Sequence, residues 1–314
     1  MRTAGGVPPA PSPSLRRPTR RAVLAGAASG ALALVAGGGW LLWDNRRIVS
    51  TRYAVHSERV PASFDGYRIV QVSDLHSARF GEGNRRLLTA VREERPDLVA
   101  LTGDLVDRTD TDPGIALETA SALTELAPVA YVTGNHEAES ALLGELMEGL
   151  EESGVMILRD ASRALARGAE RIRLLGLEDP FFPRPEEAVG RGLDEGARTR
   201  QRLAGILAMT PEGADAWGKD PFTVLLAHRP EQLPIYAETR IDLALVGHAH
   251  GGQVRLPGVG GLFAPEQGLL PALTAGVVHR GRTDLVISRG LGNSVAPVRV
   301  NDPPEIVTIS LHRG

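Results

Sequence analysis

The chain contains no cysteine. That excludes disulfides, cysteine nucleophiles and thiolate-bound metal together, so any metal site must be built from His, Asp, Glu or Asn, a donor set that suits Mn, Fe or Zn. It also lacks a strong charge of either sign. The net charge is −3 over 314 residues, which gives no reason to expect nucleic acid as a partner. Lysine is nearly absent and arginine carries the positive charge, a feature of composition rather than of function. No internal repeat is present. What remains is ordinary for a globular protein, 42% hydrophobic and 23% charged, in a chain long enough for one large domain or two modest ones.

The stretch that organises the rest is Leu98-Val99-Ala100-Leu101-Thr102-Gly103-Asp104. It reads as a short buried strand that ends in a glycine and a carboxylate. Such an ending puts the carboxylate at the carboxyl edge of a sheet, where open α/β folds keep their sites. Four other strand ends match it. Tyr67–Val72 leads into Ser73-Asp74-Leu75-His76. Pro128–Thr133 leads into Gly134-Asn135-His136-Glu137. Phe222–Ala227 ends at His228, and Ile241–Val246 runs into Gly247-His248-Ala249-His250. Five of the eight histidines thus follow apolar runs, which chance placement does not explain.

Helical character is expected over Asn84–Arg95, Ile115–Leu126 and Ala141–Ser153. Together with the intervening strands they predict βαβ units and parallel strands with right-handed crossovers. Val155–Leu158, Ile172–Leu177, Leu285–Ser288 and Glu305–Leu311 read as further strands. Arg184–Asp220 is charged and partly helical, either a solvated helix pair or a cap over a site. The glycine-rich stretch from Gly251 to Gly268 reads as a long loop.

The N-terminus differs from the rest. Residues 1–21 are rich in Pro, Ser and Arg and read as disordered. Arg16, Arg17, Arg20 and Arg21 precede an uncharged run, Ala22–Trp43, long enough to span a bilayer. Thr19-Arg20-Arg21 with Leu24 resembles a twin-arginine export signal, with Val23 where Phe is common and Ala25 where Lys is common. Ala31-Leu32-Ala33 sits mid-run and offers no convincing cleavage site, so both an uncleaved anchor and a removed signal remain open. The excess of positive charge before the run predicts that the bulk of the chain faces outward. The expected organisation is therefore a signal or anchor over 1–45, an extended lead-in over 46–65 and a catalytic domain over 66–314.

Asp-x-His and His-x-His, if locally extended, each place two side chains on one side of the chain. Imidazoles, carboxylates and an amide oxygen suit two divalent ions sharing a ligand. Two such ions clamp a phosphoryl group and lower the pKa of a water between them, giving a hydroxide for in-line attack. A histidine near the leaving group that does not reach a metal serves as the proton donor.

The blocks D-L-H (74–76), G-D (103–104), G-N-H-E (134–137), H (228) and G-H-A-H (247–250) resemble the calcineurin-like metallophosphoesterases. The tail G-G-Q-V-R-L-P, S-R-G-L-G, P-V-R and P-P-E-I is similar to the exported or membrane-associated bacterial branch of that family. The resemblance implies an α/β fold, a four-layer sandwich of two mixed β-sheets flanked by helices. It implies one metal held by Asp74, His76 and His250, a second held by Asn135, His228 and His248, and Asp104 bridging them. It assigns His136 to the transition state or the leaving oxygen, and Glu137 to orienting its neighbours. The expectation is a metal-dependent phosphoesterase acting on a phosphodiester, pyrophosphate or phosphomonoester, with a lipid or other envelope component as substrate, outside the cytoplasmic membrane. Two alternatives stand beside it: a non-catalytic metal-binding scaffold, against which the intact His136 speaks, and a metal-dependent esterase or amidase.

Overall fold

Runs of leucine and β-branched residues, punctuated by glycine and polar residues, become the strands of two six-stranded sheets. The computed structural model describes residues 19–21, 35–182, 194–209, 220–293 and 297–314. Met1–Leu42 form one unit and Trp43–Gly314 another. Among the described residues no helix is long and apolar enough to cross a membrane. Most of the expected span, and most of the stretch read as disordered, lies outside the described residues.

In the first sheet β1 (Val49–His56), β2 (Tyr67–Val72), β3 (Leu98–Thr102), β4 (Val129–Val132) and β5 (Met156–Ile157) are joined by a late strand. The second contains β6 (Ala161–Arg167), β7 (Glu170–Gly176), β8 (Thr223–Leu226) and β9 (Leu243–Val246). Two short hairpins follow: β10 (Arg255–Leu256) with β11 (Gly260–Gly261), and β12 (Phe263–Ala264) with β13 (Gly268–Leu269). Then β14 (Gly276–Arg280) and β15 (Thr283–Ile287) complete the second sheet, and β16 (Glu305–His312) returns to the first. The orders are β1-β16-β2-β3-β4-β5 and β14-β15-β9-β8-β7-β6. Strands β2 to β5 are parallel, as are β7, β8, β9 and β15, while β16 runs antiparallel to β2.

The two-residue period of each strand builds the layers. In β3, Leu98 and Ala100 enter the core between the sheets, with Val224, Leu245 and Val286 from the second sheet. Val99 and Leu101 point the other way, onto Leu87, Val91, Ala120, Leu123 and Leu150 of the helices Arg85–Glu94, Gly114–Thr124 and Leu143–Glu152. In β9, Ala244 and Val246 face Leu203 and Ile206 of the helix Glu195–Ala208 and Tyr236 of the helix Leu233–Ala237. Three apolar interfaces therefore separate four layers, helix–sheet–sheet–helix, as the fold expectation had it.

Several elements differ from expectation. The lead-in carries β1, paired in parallel with β16 along its full length. Strand β6 was not anticipated. Its sequence, ASRALAR, buries Ser162 and Leu165 and exposes Arg163, Ala166 and Arg167, and an alternation carried by serine and arginine gives a weak apolar signal. The charged 184–220 stretch supplies Glu195–Ala208, which packs Leu203 and Ile206 on the second sheet. The rest of that stretch, apart from Asp194, Met209 and Asp220, lies outside the described residues.

Candidate functional site

Strands β2, β3 and β4 of one sheet and β8 and β9 of the other bring their carboxyl ends to one place. A buried glutamine ties the two edges together: Gln71 Nε2 donates to Thr102 Oγ1 and to Val246 O, both at 2.9 Å. Just beyond this tie, Asp74, His76, Asp104 and His250 place one ligand atom each within 4.8 Å of one another. Asp104, His228 and His248 form a second such group. The groups share Asp104, whose Oδ2 lies 3.1 Å from His228 Nε2 and 3.6 Å from His76 Nε2. His76 Nε2 and His250 Nε2 are 3.2 Å apart.

The local backbone is not extended, contrary to the assumption made for Asp-x-His and His-x-His. Asp74, His76, Asp104, His248 and His250 all have positive φ, between 43° and 66°. Each such residue costs roughly 1 kcal/mol, and such strain gathers at functional sites. Specific hydrogen bonds hold it. Asp74 N donates to Gly103 O and His76 N to Asp104 O, both at 3.0 Å. His248 N donates to Asp74 Oδ1 and His136 N to Asp104 Oδ1, both at 2.9 Å. The glycines before Asp104 and His248 are required by closeness. A methyl on Gly103 would sit 2.6 Å from His228 Nδ1 and 2.7 Å from Gly134 N.

Glu137 lies beneath the cluster and accepts from Gly134 N (2.7 Å), Asp104 N (2.9 Å) and Leu105 N (2.6 Å). It thus fixes the loops that carry Asp104 and His136. Burial, with the charge of Asp104 adding to it, pushes its carboxyl up to about 7. His136 stands beside the first group, its ring edge-on to that of His76 at 4.5 Å. Its Nδ1 accepts from Arg108 N at 3.2 Å, so the neutral ring carries its proton on Nε2.

His228 Nδ1 lies 2.7 Å from Thr102 O. A carbonyl only accepts, so Nδ1 carries a hydrogen and Nε2 is the nitrogen that faces Asp104. Burial disfavours a charged His228, but Asp104 outweighs it and raises the imidazole well above its usual value. The same pairing holds Asp104 well below the carboxylate range despite its burial. His250 and His76 go the other way. Burial lowers both, and for His250 the neighbouring His76 and Arg299 lower it further.

The donor set fits divalent cations. Asp74 Oδ2, His76 Nδ1 and Asn135 Oδ1 are buried without a hydrogen-bond partner among the described residues. Unsatisfied buried acceptors are costly and call for a partner. Carboxylates and neutral imidazoles converging on two points that share one carboxylate are what two hard or borderline cations take.

Three acidic neighbours were missed from the sequence. Asp107 Oδ2 lies 3.2 Å from His136 Nδ1 and 3.7 Å from His76 Nδ1. Its signal was available: it stands three residues after Asp104 in the same strand-end loop. Glu266 Oε2 approaches His248 Nε2 to 2.5 Å, and Glu231 groups with both. Glu266 sits in the turn of the β12–β13 hairpin, inside the glycine-rich stretch, where nothing periodic marks it. Next to His228, buried Arg229 makes a two-point pair with Asp179, Nε to Oδ2 at 2.8 Å and Nη2 to Oδ1 at 3.1 Å.

The family described as Calcineurin-like phosphoesterase matches residues 67–252. The chain is 28% identical over 307 residues to the uncharacterized metallophosphoesterase YkuE of Bacillus subtilis, covering 95% of this chain and 99% of that one. It is 27% identical over 254 residues to phosphodiesterase YaeI of Escherichia coli, covering 78% and 82%. Among solved structures, TT1561 of Thermus thermophilus aligns with a TM-score of 0.47 at 14% identity, covering 72% of this chain and 90% of that one.

Proposed function

Since the chain belongs to the calcineurin-like phosphoesterase family and is a metal-dependent phosphoester hydrolase, we propose that it hydrolyses phosphodiesters with two divalent ions, at the outer face of the cytoplasmic membrane. The observation that carries the two-ion reading is the sharing of Asp104 between two groups of buried ligands. Asp74, His76, Asp104 and His250 would hold one ion, and Asp104, Asn135, His228 and His248 the other. Bound there, Mn, Fe or Zn would draw charge from the phosphoryl oxygens and acidify a water.

The remaining work falls to side chains of this chain. Thr102 O and Glu137 fix the imidazole and the loops that must not move. His136 as the imidazolium is the donor: it gives its Nε2 proton to the leaving oxygen and keeps the one on Nδ1. Asp107, 3.2 Å from its Nδ1, stabilises the ring when both nitrogens are protonated. That pairing favours an enzyme over a metal-binding scaffold, which has no use for a proton donor.

The diester preference draws on similarity to a relative named as a phosphodiesterase. The location draws on Arg20-Arg21 and the uncharged run to Trp43. The deciding experiment assays purified protein with Mn against a monoester, a diester and a pyrophosphate of the same leaving group. Fastest turnover of the diester is expected; a higher kcat/KM for the monoester or pyrophosphate would overturn the substrate class.

A further inference from the structure

Large apolar side chains are exposed in one stretch of the Trp43–Gly314 unit beyond what a solvated loop requires. Leu269 is 81% exposed, Leu270 65% and Val259 59%, with Leu256 and Phe263 also exposed. They lie on the two hairpins that follow His250. Phe263 and Leu269 are direct cross-strand partners, so both project from the same face of their hairpin. The turn of that hairpin holds Glu266 against His248. The turn of the hairpin therefore reaches the site, while Phe263 and Leu269 beside it are exposed.

The first hairpin leads to where the chain enters this unit. Val254 bridges Val300, and Arg255 N donates to Val300 O at 2.9 Å. Beside Val300, Arg299 is gripped by Asn45, whose side chain accepts from Arg299 N at 2.7 Å and donates to Arg299 O at 2.8 Å. Two residues before Asn45 is Trp43, 58% exposed and the last residue of the uncharged run, with the Arg47 guanidinium 4.8 Å above its ring. Tryptophan is enriched at membrane–water boundaries. Val298, on the same segment as Arg299, is exposed as well. An unbroken series of contacts thus joins the end of the uncharged run, the apolar hairpins and the rim of the site.

We propose that the hairpins Arg255–Gly261 and Phe263–Leu269 form a bilayer-docking surface, which seats the mouth of the site on lipid headgroups and selects phosphodiesters carried by lipids. The occupant is the lipid surface, because the run that ends at Trp43 is long enough to span a bilayer and enters the unit beside these hairpins. Apolar side chains at hairpin tips gain by entering the acyl boundary, in proportion to the area they bury there. This inference rests on the membrane attachment proposed above.

The cysteine-free chain makes the test direct. Val259→Cys, Leu269→Cys and, as a control on the far edge of the second sheet, Ala166→Cys are each made in the full-length protein. Each is labelled with an environment-sensitive fluorophore and reconstituted into vesicles of phosphatidylglycerol and phosphatidylethanolamine. Flotation first shows whether the protein is vesicle-bound. The expected result is blue-shifted emission, quenched by nitroxide lipids, at positions 259 and 269 and not at 166. Bound protein whose 259 and 269 labels stay in a water-like environment would overturn the docking surface and leave the attachment standing. Protein that does not float would overturn the attachment and the docking surface with it. A shift that needs no vesicles and grows with protein concentration would assign the face to a second copy of the chain, and so also overturn the lipid proposal.

Discussion

Asp104 Oδ2 and His228 Nε2 lie 3.1 Å apart, a carboxylate and an imidazole from different sheets, both buried. The contact ties the two sheets together across the site. It also puts a negative charge at the point that both ligand groups share. Asp104→Asn keeps the shape and removes the charge. We expect it to lose at least one metal, because two cations so close repel each other unless an anion lies between them, and to lose activity on every ester. His136→Ala should keep both metals and lose roughly 10²–10⁴-fold in kcat. Its loss should be smaller for a nitrophenolate leaving group, which needs little protonation. Metal analysis beside kinetics on aryl and alkyl esters decides it: metal loss in His136→Ala would make His136 a ligand.

Metal content is a second expectation. Elemental analysis of active protein should give two divalent ions per chain, with activity removed by chelation and restored by Mn. Loading should also release protons, because His228 holds one in the metal-free pair with Asp104. Uptake of a single ion, or loading without acidification of a weakly buffered solution, would contradict the arrangement.

Two glycines should respond in opposite directions. A methyl on Gly247 would run into Ser73 and Asp74, and overpacking of this kind costs roughly 1–3 kcal/mol. A methyl on Gly205, an exposed position within the helix Glu195–Ala208, meets nothing within 4 Å. Gly205→Ala should stabilise by about 0.5–1 kcal/mol. Urea denaturation of both variants measures the difference; equal stabilities would show that the Gly247 contact is slack.

All four tyrosines sit in surroundings that raise their phenols. Burial pushes Tyr67 up to about 12, raises Tyr131 and Tyr236 well above the usual value, and raises Tyr53 as well. The sign follows directly. Above pH 10 the unfolded chain gives up phenolic protons that the folded chain keeps, so stability is full below about pH 10 and falls as pH rises toward 12. Absorbance of phenolate near 295 nm should appear later in native protein than in protein unfolded by guanidinium. Coincident titration curves would contradict the burial.

Protease added to spheroplasts should reach residues 46–314 if the domain lies outside. Full protection in intact spheroplasts, lost on lysis, would reverse the orientation. Replacing Arg20 and Arg21 with Lys should block export if the twin-arginine route carries the chain, and continued export would point to the general secretion route.

Much of this architecture was legible because parallel buried strands write themselves as short apolar runs ending in functional residues. Tyr67–Val72 and Leu98–Thr102 are bounded as expected, and the strand ends that carry Asp74, Asp104, His136, His228 and His248 converge in space. Elements without such runs were harder to see. The hairpins after His250 are two residues per strand, too short for any period to show. Strand β1 reads as a polar lead-in because most of its residues are only partly covered. Glu266 depends on where a loop folds back, which no local pattern records, whereas Asp107 could have been found from its place three residues after Asp104. The left-handed backbone at the ligands was equally hidden, since aspartate and histidine carry no outward sign of it.

Strand β16 lies between β1 and β2, yet it comes after all the other strands in sequence. During synthesis β1 and β2 must therefore wait about 250 residues, the separation across the β1–β16 pairing, for the strand that joins them. Until then the apolar faces of Ile69 and Val70 have an open edge, and contacts this distant in sequence close slowly. A ribosome paused anywhere before residue 305 would hold a half-sheet ready to pair with the wrong partner. The first sheet is thus completed only once β16 has been made, and any holding factor that keeps the nascent chain apart from its neighbours until then would raise its yield.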